Sequence, residues 1–216
     1  MSTAACCDGG GDASGGTMSS DATALDAQSL VHAAYEAVAQ KSASCCVTSV
    51  SNRASIGYDD ADRAYVGDAD LGVGCGTPVR FARLMRGECV VDLGCGAGVD
   101  VFLASRAVGT DGGRVVGVDM TNDMLKQARL KAKELNLRVP EDVDFKLGTL
   151  DALPVDSASM DVVLSNCVIN LCDDKRAAFE EAYRVLKPNG RIAIADVVNR
   201  GKALPKCMQT AEALVC

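Results

Sequence analysis

From Asp21 to Gln40 the apolar residues Leu25, Val31, Ala34, Tyr35 and Val38 recur largely at steps of three and four, with serine and aspartate ahead of them as caps. The spacing predicts one amphipathic helix, with His32 off its main stripe as a surface or half-buried side chain. Beyond Pro78 short apolar runs alternate with helical stripes. Val90-Val91 reads as a strand, and Val99 to Ala104 can carry a helical face. Arg114 to Asp119 is a second buried strand. Thr121 to Leu137 is a capped helix with Met124, Leu125, Ala128, Ala132 and Leu135 inside and a largely solvated basic face. Val143 to Gly148 and Met160 to Val168 are the third and fourth strands. Asp173 to Leu186 is a further helix, Lys187-Pro188-Asn189-Gly190 a turn, and Arg191 to Val198 a fifth strand. This alternation predicts an α/β fold with a doubly wound, mostly parallel sheet and right-handed crossovers.

In such sheets ligands sit at the carboxyl ends of the strands. Four separately placed segments fall on that rim: Gly94, Asp119, Gly148 to Asp151, and Asn166-Cys167. The first belongs to Cys89–Gly98, C-V-V-D-L-G-C-G-A-G, where Gly94, Gly96 and Gly98 alternate after a strand and before a helix. Glycine suits a turn whose backbone must bend sharply and let a ligand approach, and the amides opening the helix face an anionic group. Asp119, ending the next strand, stands where a carboxylate meets ribose hydroxyls in nucleotide-binding units. Asp92, two residues before the first glycine, would repel a pyrophosphate and favours a ligand with a cationic end. S-adenosylmethionine, with its ammonium and sulfonium, fits that charge. The loop resembles the first motif of Rossmann-like methyltransferases that use it.

Composition narrows the partners. The 216 residues suffice for one buried core, and a net charge of -7 disfavours nucleic acid and anionic membranes. No apolar run spans a bilayer and the N-terminus lacks the order of a secretory signal, so the expected location is cytoplasmic. Eleven cysteines are many for a reducing compartment, yet no C-x-x-C pair occurs and the single His32 stands apart, which argues against a zinc ribbon. Residues 1–22, rich in Gly, Ser, Ala and Asp, predict a disordered tail. Between Lys41 and Pro78 periodic apolar residues are few, which predicts a long connecting loop. In it Gly72, Gly74 and Gly76 leave the Cys75 sulfur accessible. Cys89, Cys95 and Cys172 read as small buried hydrophobes.

From about Lys41 onward the chain resembles the arsenite S-adenosylmethionine methyltransferases, within the class I Rossmann-like fold. The residues carrying the resemblance are Cys45-Cys46, Ile56-Gly57-Tyr58, Ala69 to Pro78 (A-D-L-G-V-G-C-G-T-P), Gly117 to Thr121 (G-V-D-M-T), Leu153-Pro154-Val155, and Ser165 to Leu171 (S-N-C-V-I-N-L). It implies that Cys75 and Cys167 hold trivalent arsenic, and that Cys45 or Cys46 pairs with the loop cysteine during turnover. It also implies a cofactor site of Asp92, Gly94 and Gly96 for the methionyl part, with Gly98 in the same loop, Asp119 and Met120 for ribose and adenine, Leu150 and Asp151 for adenine, and Asn166 beside the methionyl group. The implied substrate is trivalent arsenic or its thiol conjugates, with a thioredoxin- or glutathione-type reductant. The chemistry suits the residues, because arsenic(III) is thiophilic and thiolate is the soft ligand proteins possess.

The resemblance further implies two strands and a C-terminal region beyond the fifth strand, which the residues after Val198 do not accommodate. The expectation is therefore a shortened substrate half, with Cys216 at or near the family's remaining arsenic ligand and slow turnover. The expected organisation is a tail at 1–22, a helix and cysteine-bearing loop at 23–86, the cofactor domain at 87–198 and the start of a substrate region at 199–216. Two alternatives remain open: methyl transfer to a small sterol- or quinone-like acceptor, and a noncatalytic thiol module that sequesters arsenite or another soft metal.

Overall fold

A computed structural model describes residues 20–40, 57–198 and 201. Helix α1 (Ser20–Ala39) follows the predicted stripe, with Val31 and Val38 buried. His32 is half-buried, one turn before Glu36. Within the described part of the expected connecting loop a short helix forms, α2 (Asp60–Val66), and α3 (Pro78–Phe81) begins at the loop's end. Helix α2 is specified locally. Asp59 caps it by accepting from the Asp62 N–H at 2.8 Å, and Val66 is buried at its end. The expected tail lies almost entirely outside the described residues, as do Cys45 and Cys46.

Five strands follow: β1 (Cys89–Leu93), β2 (Arg114–Asp119), β3 (Val143–Leu147), β4 (Met160–Asn166) and β5 (Leu186–Ala195). Between them lie α4 (Val99–Val108), α5 (Asn122–Glu134) and α6 (Lys175–Val185). All pairings are parallel, in the order β3-β2-β1-β4-β5. The α/β doubly wound fold read from the strand–helix alternation is thus the observed one. The chain builds outward from β1 through β2 to β3, then crosses back to β4. The switch of direction therefore lies between β1 and β4, where open α/β sheets leave a crevice.

The two faces of the sheet bury separate clusters. One gathers Val90, Val115, Val143, Val162 and Leu164 with Phe102, Leu125 and Ala128, and extends to Val38, Tyr58 and Val66. The other holds Val91, Leu93, Val116, Val118 and Val163 against Ala182 and Val185. Burial on both faces explains why β1, β2 and β4 read as near-continuous apolar runs, whereas β3, V-D-F-K-L, keeps an alternation of buried and less buried residues.

Two boundaries differ from expectation. Lys187–Gly190 does not precede β5 but is absorbed into it as a bulge: Met160 pairs with Leu186 and Val162 already with Arg191. Asn189 there takes φ 67°, a left-handed turn inside a strand. Strand β4 stops at Asn166, so Cys167 lies just past it, at φ 60°. Among the described residues no helix is long and apolar enough to cross a membrane.

Candidate active site

Strand β1 ends at Leu93, and the chain turns through Gly94-Cys95-Gly96-Ala97-Gly98 into α4. The three glycines take φ of 66°, 52° and 97°, where a side chain is strained. Their surroundings differ. A methyl group on Gly94 would collide with the Val168 side chain, so this glycine lets the segment after β4 close against the loop. A methyl group on Gly96 would meet no atom within 4 Å, so here the backbone borders open space. Asp119 fixes the loop from β2. One carboxylate oxygen accepts from the Gly96 N–H at 2.8 Å and the other from the Thr121 N–H at 2.8 Å.

Three carboxylates lie buried around this turn: Asp92 in β1, Asp100 in the first turn of α4, and Asp119. Burial pushes all three up from the usual carboxylate range. For Asp92 the negative neighbours Asp100 and Asp119 add to the rise. Asp100 is lifted to about 6, burial outweighing the hydrogen bonds it accepts from Asn166 and Tyr58. A cluster of this kind is electrostatically suited to a positively charged ligand.

Across the switch point Asn166 ends β4 and acts as a clamp. Its Oδ1 accepts from the Cys75 N–H at 2.9 Å. Its Nδ2 donates to the Gly76 carbonyl at 2.8 Å, to Asp100 at 2.9 Å and to the Tyr58 hydroxyl at 3.1 Å. The Tyr58 hydroxyl in turn donates to Asp100 at 2.9 Å. The glycine-rich segment can lie this close because it lacks side chains: a methyl group on Gly76 would sit 2.9 Å from the Ala195 Cβ. Asp62 braces the same region from behind. It binds Arg80 at 2.7 Å and also Arg106, joining α2, the residues after Thr77, and α4. Burial raises the Asp62 carboxyl, but the two guanidiniums outweigh it and hold it low.

The clamp brings Cys75 against Cys167, 92 residues later, and the two sulfurs form a disulfide with their Cα atoms 5.3 Å apart. Cys167 stays anchored to β5 by its N–H, which donates to the Ala195 carbonyl at 2.8 Å. Beyond that carbonyl the Asp196 carboxylate lies beside both sulfurs, the three ligand-type atoms within 4.8 Å of one another.

The remaining expected site residues are spread more widely. Met120 is half-buried after β2, Leu150 is half-buried against the second cluster, and Asp151 is exposed. Cys216, Cys45 and Cys46 lie outside the described residues. The described loop cysteine is paired with Cys167, and the turnover pairing with Cys45 or Cys46 that the resemblance implies involves residues outside the described ones. Cys95 is buried, its sulfur over Gly117 where a Cβ would be 2.7 Å away, and burial raises its thiol strongly. Cys172 and Cys89 are half-buried, less enclosed than a core residue, and burial lifts the Cys172 thiol to about 11. Sequence reasoning passed over Asp100 in the carboxylate cluster and the nearness of Asp196 to the sulfurs. The available signals were a charged residue inside the apolar run Val99–Ala104, and a carboxylate directly after a strand's carboxyl end.

Residues 84–215 match a family model described as a methyltransferase domain. The arsenite methyltransferase of Halobacterium salinarum is 42% identical over 199 residues, covering 84% of this chain and 50% of that protein. The demethylmenaquinone methyltransferase of Lactococcus lactis is 35% identical over 108 residues, covering 50% of this chain and 41% of that protein. Among solved structures, an arsenic(III) S-adenosylmethionine methyltransferase from Chlamydomonas reinhardtii superposes with a TM-score of 0.58 at 34% identity, over 70% of this chain and 53% of its own. The chain spans about half the length of these relatives.

Proposed function

This chain belongs to the methyltransferase-domain family, and we propose that it transfers the methyl group of S-adenosylmethionine to trivalent arsenic held by the thiolates of Cys75 and Cys167. The observation that carries this reading is the meeting of two sulfurs from distant segments at the switch point, beside the glycine turn. The similarity to arsenite methyltransferases over most of the chain supports it.

The cofactor fits the turn on two grounds. The open space at Gly96 leaves room for its backbone-contacting portion, and the buried carboxylates Asp92 and Asp100 suit its cationic end. When bound, S-adenosylmethionine supplies an electrophilic methyl group on a sulfonium. Gly94, Gly96 and Asp92 receive the methionyl end, Gly98 opens the helix behind it, and Asp119 with Met120 faces the ribose and adenine. Leu150 and Asp151 flank the adenine. Asn166 holds the thiol loop against this pocket, a positioning role alongside any contact with the methionyl group.

On the acceptor side the two thiolates bind arsenic and leave its lone pair free. The chain's task is to fix that lone pair's direction. Methylation raises the arsenic formally from the trivalent to the pentavalent state, and two electrons must return. Oxidation of Cys75 and Cys167 to the disulfide yields two electrons, and an external dithiol restores both thiols by exchange. Cys45 or Cys46, and Cys216 as a third ligand, belong to the same proposal.

The test is incubation of the reduced chain with arsenite, a thiol reductant and labelled S-adenosylmethionine, followed by separation of the arsenic species. Methylated arsenic is the expected product. Arsenite capture without label transfer would leave a sequestering thiol protein instead. The likeness to a demethylmenaquinone methyltransferase favours a second reading, methyl transfer to a quinone-like carbon acceptor. In that case Cys75→Ser and Cys167→Ser would leave activity intact.

A further inference from the structure

Beside the glycine turn, the two sulfurs share their surroundings with a carboxylate that the proposed methyl transfer does not employ. Asp196 directly follows β5, and its ligand oxygen lies within 4.8 Å of both the Cys75 and the Cys167 sulfur. Its orientation is set by backbone donors. One oxygen accepts from the Asn170 N–H at 3.0 Å and the other from the Val197 N–H at 2.7 Å. Each carboxylate oxygen has a second lone-pair direction, so these bonds orient the group without saturating it. The three donors come from three segments, the loop before α3, the end of β4 and the end of β5, all anchored on the sheet rim.

We propose that the reduced chain carries a binding site for a thiophilic divalent cation of the zinc or cadmium class, formed by the Cys75 and Cys167 thiolates and the Asp196 carboxylate. Two sulfurs and one oxygen with an open fourth position is a donor set that Zn²⁺ accepts. With Zn–S near 2.3 Å and Zn–O near 2.0–2.2 Å, tetrahedral ligand atoms stand roughly 3.3–3.8 Å apart. The present cluster approaches that spacing once the sulfurs separate. Entry requires reduction of the disulfide, which adds two electrons and two protons. Binding then displaces both thiol protons to solvent as two S–M bonds and one O–M bond form. The site is therefore open only in the dithiol form, and a bound divalent ion excludes any other thiophile from the same sulfurs. The inference rests on these three side chains and not on the methyl-transfer reading.

The carboxylate separates this site from simple dithiol chemistry. A trivalent arsenical is held by thiolates, whereas a divalent d¹⁰ cation also takes an oxygen ligand. The test uses the full chain with the six cysteines outside the described residues replaced by serine, reduced with a phosphine. Zn²⁺ is titrated in competition with a chromophoric chelator, Cd²⁺ is followed by its thiolate charge-transfer absorption, and phenylarsine oxide reports the dithiol alone. One equivalent of Zn²⁺ is expected in the reduced chain and none in the oxidised chain. Asp196→Asn is expected to weaken Zn²⁺ about tenfold or more while arsenical capture stays within about twofold. Unchanged Zn²⁺ affinity in Asp196→Asn overturns the proposal. So does binding by the oxidised chain, or equal loss of Zn²⁺ and arsenical, which would make Asp196 a structural support only. Melting curves of each variant establish that it is folded.

Discussion

The glycine turn and the thiol pair lie on one rim but are assembled in opposite ways. The turn is nearly contiguous: β1, three glycines and the start of α4 follow one another, and the end of β2 completes it, through the Val118 carbonyl and the Asp119 carboxylate. The thiol pair joins a loop near residue 75 to the end of a strand 92 residues later. It depends on one amide, Asn166, to hold the loop in place. Contiguous geometry is fixed once the local backbone folds, whereas assembled geometry lasts only as long as its fasteners. The two halves should therefore fail independently, and each failure should leave its own signature.

The sharpest way to break the comparison is at the sulfurs. Cys75→Ser or Cys167→Ser should lower arsenite methylation on the order of a hundredfold or more, as expected when a reacting atom loses its positioning. Affinity for S-adenosylhomocysteine, measured by calorimetry, should hardly move. A parallel loss of cofactor affinity would show that the halves are one unit. Next in size is the fastener. Asn166→Ala removes an acceptor from the Cys75 N–H and a donor from Gly76 and Asp100. Leaving the partners in these part-buried hydrogen bonds unsatisfied costs at most about 1–3 kcal/mol. That should slow capture of phenylarsine oxide by the reduced chain roughly five- to a hundredfold. Mass spectrometry of the captured adduct gives the rate.

The opposite perturbation is Gly96→Ala. It places a side chain at φ 52° and puts a methyl group into the open space proposed for the cofactor. The left-handed conformation costs about 1–2 kcal/mol, which favours a relaxed turn unsuited to the proposed ligand, so cofactor binding should weaken about tenfold while arsenical capture is retained. The smallest effect is a pH signature. Asp100 has a folded value near 6 against an ordinary 3.8. The folded chain therefore holds more protons than the unfolded chain between those values, and this group's contribution to stability falls as pH rises from about 4 through about 6. Asp100→Asn lacks that titration. Its melting temperature relative to the unaltered chain should climb across the same window. Asp62, held low, contributes in the opposite sense, its stabilisation being lost only as pH drops below about 4.

How much the sequence disclosed follows the same division. The central strands were legible as apolar runs, because Val90 on one face and Val91, Val116 and Val163 on the other are all buried, and β3 was legible from its alternation of apolar and charged residues. The glycine turn was legible because its conformation forbids other residues. Short-range chemistry was partly hidden. Helix α2 escaped notice because its signal is one cap and one buried valine. The Lys187–Gly190 turn residues proved to make a bulge, since turn chemistry fixes a local dihedral without saying whether pairing resumes. The hydrogen bonds of Asn166 and the approach of Asp196 to the sulfurs span segments that no local pattern connects. The nearness of Cys75 to Cys167 was anticipated through the resemblance and not through spacing.

The left-handed dihedral of Cys167 carries one more consequence. In an unbroken strand, neighbours 166 and 167 would project to opposite sides of the sheet, so amide and sulfur could not serve a common loop. Ending β4 between them and rotating the backbone brings both to one side. Extending the strand by a single residue would improve its regularity and scatter the chemistry, so the length of β4 is itself part of the site's specification.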